Sequence, residues 1–463
     1  MEGNIPKTKN RLLAAEIFSS AICPLDCKYC YIPKTDAMKN LQKKIIEKLK
    51  NKEFINDLEK FYGDNLQHLA MWGAEPTLTL SYIGDAIPDL VQKFPKLSSF
   101  SFSTSLMTNT DIILNFIKTL SAIGRKAEFK CQISLDGPAY ITDVNRIAGA
   151  AKKAPENFYD ITEKLNDINL GQLRINFHTK STFTMDNIRY LNKNKDKIKE
   201  YFDYFEAIYL KQKEINKNKN VTFTPSSIPT LTVPGKYTTE DGKELAIFFK
   251  NLRELARENR ELHYWTHIRG SLNSYVYRLT RIFKYQNELA SKACTFTCSG
   301  GDSDFGLGVN NDIRICHRMF FLNNEEYINS ILTEENIENW DVSLLNKGNL
   351  DLINKNYNMD TGNEKDWPRV LYILRNYHDF VQLRTAYIKA MVTELALCGQ
   401  SDKIYLRSKS LPILLSAFLN TAMACHTENL LNTGVIYFTP VSIIRLFSNG
   451  AFQEILKDFH ENV

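Results

Sequence analysis

The sequence predicts an α/β fold whose first half is a parallel sheet with helices outside it. Three observations carry this reading. Strand-like and helix-like patterns alternate through the first half of the chain. Parallel neighbours need crossover connections, and the intervening helical patterns supply them. A run of three cysteines directly follows the first strand pattern, at the strand end where ligands collect in such folds.

The strand patterns fall at residues 13–19, 66–72, 100–104, 129–135, 173–178 and 205–210. Between them, residues 38–61 carry Leu41, Ile45, Leu49, Ile55 and Leu58 at helical spacing. Further helices fit 82–94, 112–123, 157–168 and 185–201. Residues 211–222, rich in lysine and asparagine, read as a solvated loop, and 224–235 as an extended, proline-punctuated segment. Beyond 320 the patterns are helical, over 367–397, 411–431 and 440–459. Cys131 falls inside the fourth strand pattern and reads as a small apolar core residue.

Composition bounds the function. A chain of 463 residues can bury a large core and make two or three domains. A formal charge of +5 is small for this length; it permits nucleic-acid or acidic-peptide contacts without arguing for them, and neither a nucleic-acid nor a membrane partner is expected. There is no long apolar run and no secretion signal. Nine cysteines in such a chain read as metal ligands in a reducing cytoplasm.

The cysteine run CPLDCKYC holds Cys23, Cys27 and Cys30 on one short loop. Three thiolates are one short of the four that usually hold an iron–sulfur cube, which leaves one iron open to another ligand. The spacing also differs from the paired arrangements of structural zinc sites. Four stretches then follow at the ends of successive strand patterns. WGAEP holds Gly73, Ala74, Glu75 and Pro76, and TNT holds Thr108 and Asn109. ISLDGP holds Ser134 and Asp136, with Arg146 shortly after, and FHTKST holds His178, Lys180 and Thr182.

In this order the motifs resemble those of the radical S-adenosylmethionine (SAM) superfamily. The resemblance implies a partial (β/α)6 barrel and a [4Fe–4S] cluster held by Cys23, Cys27, Cys30 and SAM itself. It also implies reductive cleavage of SAM to a 5′-deoxyadenosyl radical. Gly73, Ala74, Glu75 and Pro76 match the stretch that contacts the SAM amino group, with Ala74 where relatives carry glycine. Ser134, Asp136 and Arg146 match the region that meets the ribose hydroxyls and the methionine carboxylate, and Arg suits a carboxylate because its fork can bind it in two parallel bonds. Asn109 matches the family's TNG-like stretch, and Lys180 belongs to a further polar cluster counted with the SAM-binding motifs. Tyr29 stands where the family has an aromatic residue near adenine.

A later stretch, with Cys294, Cys298 and Cys316, resembles the opening of a SPASM or twitch domain, in which a cysteine pair precedes a β-hairpin and a third cysteine. It implies an auxiliary [4Fe–4S] cluster. Cys425 is the favoured fourth ligand over Cys398, and an iron left open is the remaining alternative. Asn310 occupies the place where sulfatase-maturing relatives carry a catalytic Asp, so their alcohol oxidation is not expected here. No catalytic side chain is assigned. The expected divisions are a barrel over 1–235, a helical linker over 236–290, the auxiliary-cluster segment over 291–325 and a helical cap over 326–463. The expected activity is hydrogen abstraction from a peptide or protein side chain, with flavodoxin or ferredoxin as electron donor. A small metabolite or nucleoside is the alternative substrate.

Overall fold

The computed structural model describes residues 14–30, 32, 34–225, 229–231, 239–258, 304–307 and 313–314. The chain begins with β1 (Ala14–Ser20), α1 (Asp36–Lys50), α2 (Glu53–Tyr62) and β2 (His68–Gly73). Then come α3 (Leu80–Lys93), β3 (Ser99–Thr104), α4 (Asp111–Ser121) and β4 (Ala127–Ser134). Two helices, α5 (Ala139–Asn145) and α6 (Ala150–Leu165), lead to β5 (Leu173–Lys180) and the short β6 (Thr182–Phe183). Next are α7 (Met185–Lys193), α8 (Asp196–Ile215), β7 (Val221–Thr224) and β8 (Thr230–Leu231). The last described elements are α9 (Thr239–Glu258), β9 (Asp304–Leu307) and β10 (Ile313–Arg314).

The main sheet has the order β10-β9-β1-β2-β3-β4-β5-β7. All neighbours are parallel except β9 and β10, which form an antiparallel hairpin. From β1 to β7 the spatial order follows the chain order, the topology of a β/α barrel, with β10 and β7 as the two ends of the sheet among the described residues. A separate parallel pair joins β6 to β8. Among the described residues no helix is long and apolar enough to cross a membrane.

The six-unit rhythm is present, but its last strand is not where the sequence pattern put it. Residues 205–210 lie inside α8, where Ile198, Tyr201, Phe202, Phe205 and Ile208 are buried at helical spacing. The sixth strand is β7, at the end of the stretch read as a solvated loop. Two long helices are also interrupted. The 38–61 pattern breaks at Lys52, whose φ of 58° is left-handed, and the 185–201 pattern breaks at Asn194 and Lys195 between α7 and α8.

The core lies between the sheet and its helices. Phe102 and Phe129 meet Phe116 of α4 at ring separations of 6.3 and 5.7 Å. Phe158 of α6 meets Phe177 and Phe223 at 5.2 and 4.7 Å. Cys131 is fully buried here and packs as a small apolar residue. Helix α9 lies along α7: Arg189 pairs with Asp241, and Asn192 donates to Glu244 at 2.7 Å. The 291–325 segment is described only at β9 and β10, and the 326–463 region lies outside the described residues.

Candidate functional site

The cysteine loop leaves β1 under tight control. The Ser20 carbonyl accepts a hydrogen bond from the Ala74 amide at 2.8 Å, and the Ser19 carbonyl accepts from the Thr79 hydroxyl at 2.7 Å. A Cβ at Gly73 would stand 2.0 Å from the Ser20 oxygen, and its φ of 141° is one that side chains rarely adopt. Glycine is therefore required at 73. Among the described non-glycine residues only Lys52 and Leu106 have positive φ, so Ala74 carries its methyl without that strain. From the other side, Gln42 of α1 accepts from the Ala21 amide at 2.6 Å.

Within the loop Leu25 is the buried anchor. Its amide donates to Cys23 Sγ at 3.4 Å, and the Cys30 amide closes a turn on the Cys27 carbonyl at 3.0 Å. Lys34 donates to the Leu25 carbonyl and to Asp26. The Lys28 amide bonds the Asn145 carbonyl at 2.8 Å, tying the loop to the end of α5. All three thiols are free; Cys23 and Cys27 are half-buried and Cys30 is exposed.

Burial first, then Glu75 and the other two sulfurs, pushes the Cys23 thiol up to about 12. Burial also raises Cys27, with Arg146 pulling the other way. Burial thus favours the protonated thiol at both Cys23 and Cys27. Among the described residues no three His, Cys, Asp or Glu side chains converge to hold a single metal ion.

Glu75, at the end of β2, is almost fully buried and accepts four hydrogen bonds. Oε1 takes the amide and hydroxyl of Thr77, and Oε2 takes those of Ser105, the hydroxyls at 2.7 and 2.8 Å. It stitches the end of β2 to the end of β3. Pro76 opens the short turn Pro76–Leu78 and is buried. Thr77 also meets Thr108 at 2.7 Å. Asn109 is exposed, and its side-chain oxygen accepts from the Asp111 amide at 2.9 Å, opening α4.

Past β4, Asp136 is fully buried at the centre of the most connected cluster. Arg146 grips it with Nε and Nη2, both at 2.9 Å, and Tyr29 donates its hydroxyl at 2.6 Å. The Thr182 amide adds a bond at 2.9 Å. The Arg146 guanidinium also stands 5.4 Å from the Tyr29 ring centre. The fork that the sequence assigned to a bound carboxylate is closed on Asp136, and the Tyr29 hydroxyl is directed to the same carboxylate. Ser134 and Lys180 are register partners at the ends of β4 and β5, both half-buried.

The structure places Gly73, Ala74, Glu75, Pro76, Asn109, Ser134, Asp136 and Lys180 at or just past the C-terminal ends of β2 to β5, and links the cysteine loop and its entry to Ala74 through Ser20, to Asp136 through Tyr29 and to Arg146 through Cys27. Cys294, Cys298, Cys316 and Cys425 lie outside the described residues. The hairpin expected between Cys298 and Cys316 is present as β9 and β10, with Asn310 and Asn311 in its undescribed connection. Residues the sequence did not flag include Gln42, Thr77, Ser105 and Asn145. Asn145 had one available signal, its place beside Arg146.

No family model matches the chain, and no curated protein matches it. A solved structure described as native anSMEcpe with bound AdoMet is similar at 18% identity, over 67% of this chain and 76% of that one, with a TM-score of 0.39. Likeness at that level adds nothing to what the site itself supports. Fold and site define an α/β parallel-sheet protein with a three-cysteine loop at the end of its first strand.

Proposed function

We propose that this chain is a radical SAM enzyme. The observation that carries the reading is the loop of three free thiols, Cys23, Cys27 and Cys30, whose entry is tied to the end of β2 and which is itself tied to the end of α5 and, through Tyr29, to Asp136 just past β4. Cys23, Cys27 and Cys30 would hold a [4Fe–4S] cluster. Once reduced, such a cluster supplies the electron that cleaves SAM to a 5′-deoxyadenosyl radical. The protein's own contribution is placement. Gly73 allows β1 and β2 to close on one another at Ser20, so the Ala74 amide and the loop entry are held together. Glu75, itself buried, fixes the neighbouring strand ends through four hydrogen bonds to Thr77 and Ser105.

The proposed substrate is a peptide or protein side chain, a reading supported by the Cys294, Cys298 and Cys316 pattern, with Cys425 as the proposed fourth ligand of an auxiliary cluster. Flavodoxin or ferredoxin is the proposed electron donor. Replacing all three of Cys23, Cys27 and Cys30 with alanine should abolish release of 5′-deoxyadenosine from SAM under dithionite. Continued SAM cleavage by that variant would refute the reading. Anaerobic coexpression with neighbouring gene products, followed by mass spectrometry, tests the substrate class: a defined mass change on a peptide supports it, and turnover of a small metabolite overturns it.

A further inference from the structure

Arg146 is held by more contacts than an ion pair with Asp136 requires. Two of its nitrogens are committed to the Asp136 carboxylate at 2.9 Å, and its side chain is only 8% exposed. The guanidinium lies over the Tyr29 ring, and the Tyr29 hydroxyl returns to the same Asp136 oxygen that accepts from Arg146 Nε. Asp136 is itself fixed by the Thr182 amide and lies within 3.5 Å of the Asn145 amide nitrogen. With Nε and Nη2 spent, the remaining terminal nitrogen, Nη1, faces Cys27 Sγ at 4.0 Å. The backbone repeats the connection one residue away on each side, where the Lys28 amide meets the Asn145 carbonyl.

A buried carboxylate thus orients a permanent cation whose free N–H group points at a ligand sulfur. Hydrogen bonds to the sulfurs and nearby net charge are two of the levers that set iron–sulfur potentials, and outer partners that orient first ligands matter to a site's affinity and activity. We propose that Arg146, held by Asp136 and Tyr29, is a positioning residue that sets the reduction potential of the cluster on Cys23, Cys27 and Cys30. The proposal rests on the radical SAM reading. It gives Arg146 a role distinct from binding the methionine carboxylate, because Nε and Nη2, the fork that would take that carboxylate, are committed to Asp136. A positive charge and a donor beside Cys27 stabilise the reduced cluster, which carries one more electron. Losing them makes reduction harder.

The test is an EPR-monitored redox titration of the anaerobically reconstituted full chain without SAM. It is done in a background lacking Cys294, Cys298 and Cys316, so that one cluster reports. Arg146→Gln should keep its iron and sulfide while the midpoint falls by about a tenfold change in the reduction equilibrium, about 59 mV for one electron. Arg146→Lys keeps the charge and a partner for Asp136 but has no third nitrogen for the sulfur. Its midpoint should fall by less, in the same direction. If Arg146→Gln does not fold, Arg146→Lys decides the matter. A midpoint equal to the parent's in a variant that retains its iron overturns the proposal, even where SAM binding weakens. A parent chain that assembles no cluster overturns the radical SAM reading instead, which is a separate result.

Discussion

Across β3, β4 and β5 the two faces of the main sheet have opposite chemistry, whereas β1 and β2 bury residues on both faces. On β4, Ala127, Phe129, Cys131 and Ile133 are buried, while Glu128, Lys130, Gln132 and Ser134 between them are half-buried. Strands β3 and β5 repeat this, with Phe100, Phe102, Ile175 and Phe177 on one side and Ser101, Ser103, Asn176 and His178 on the other. Helices α4 and α6 cover the apolar side through Phe116 and Phe158. Parallel sheets usually carry apolar residues on both faces, because helices cover both. Barrel interiors are usually packed with branched apolar side chains. Here the face away from α4 and α6 is lined with hydrogen-bonding groups: Gln132 donates to Ser103 at 2.9 Å, and Lys130 pairs with Glu128 at 3.0 Å. Over these three strands the helix-covered face carries the core, and the opposite face carries hydrogen-bonding side chains.

The sharpest way to break this contrast is to cut one position on each face of β4. Phe129→Ala removes a fully buried ring that touches Phe102 and Phe116, and should cost about 3–5 kcal/mol in urea unfolding of the anaerobic protein. A cost below about 1 kcal/mol would mean the helix-covered face is not the core.

A pH experiment probes the other face. His68 lies between Ser99 and Ser101, at 2.8 and 2.9 Å, and burial, reinforced by Lys130, lowers its pKa to about 4. The unfolded imidazole titrates near 6.5. Between those values the unfolded chain binds the extra proton, so stability present above about 6.5 is lost as the pH falls toward 4. Up to roughly 3 kcal/mol is at stake. His68→Gln should flatten that part of the stability profile, and an unchanged slope would remove His68 as its source.

The smallest expected effect is on the polar face itself. Gln132→Leu loses one hydrogen bond on a half-buried surface and should change stability by about 1 kcal/mol or less. A loss as large as that of Phe129→Ala would show that the two faces contribute alike.

How much of this was legible in the sequence depended on the kind of signal. The cysteine loop and the strand-end motifs were readable because their residue types and spacing are tied to chemistry. Residues 205–210 misled because Phe205, Ile208 and Tyr209 have high strand propensity, while burial at three- and four-residue spacing over the whole of α8 overrode it. The true sixth strand, β7, has only four residues in a polar setting, with Val221 and Phe223 as its two buried positions. The left-handed turn at Lys52 leaves no trace in the hydrophobic period. The destination of the Arg146 fork was also beyond the sequence. Its match to the family's motif named a carboxylate partner, and only the fold shows that Asp136, ten residues earlier, takes that place.

The pairing of β9 with β1 has a consequence for biosynthesis. On the ribosome β1 is complete once Ser20 has been made, and its inner neighbour β2 follows soon after. Its outer neighbour does not exist until Asp304 has been synthesised. At roughly 5–20 residues per second, the edge that launches the cysteine loop waits many seconds with its backbone donors and acceptors unpaired on that side. A nascent chain stalled before Asp304 would therefore present this edge to other chains, and aggregation of such truncations should fall once β9 is included.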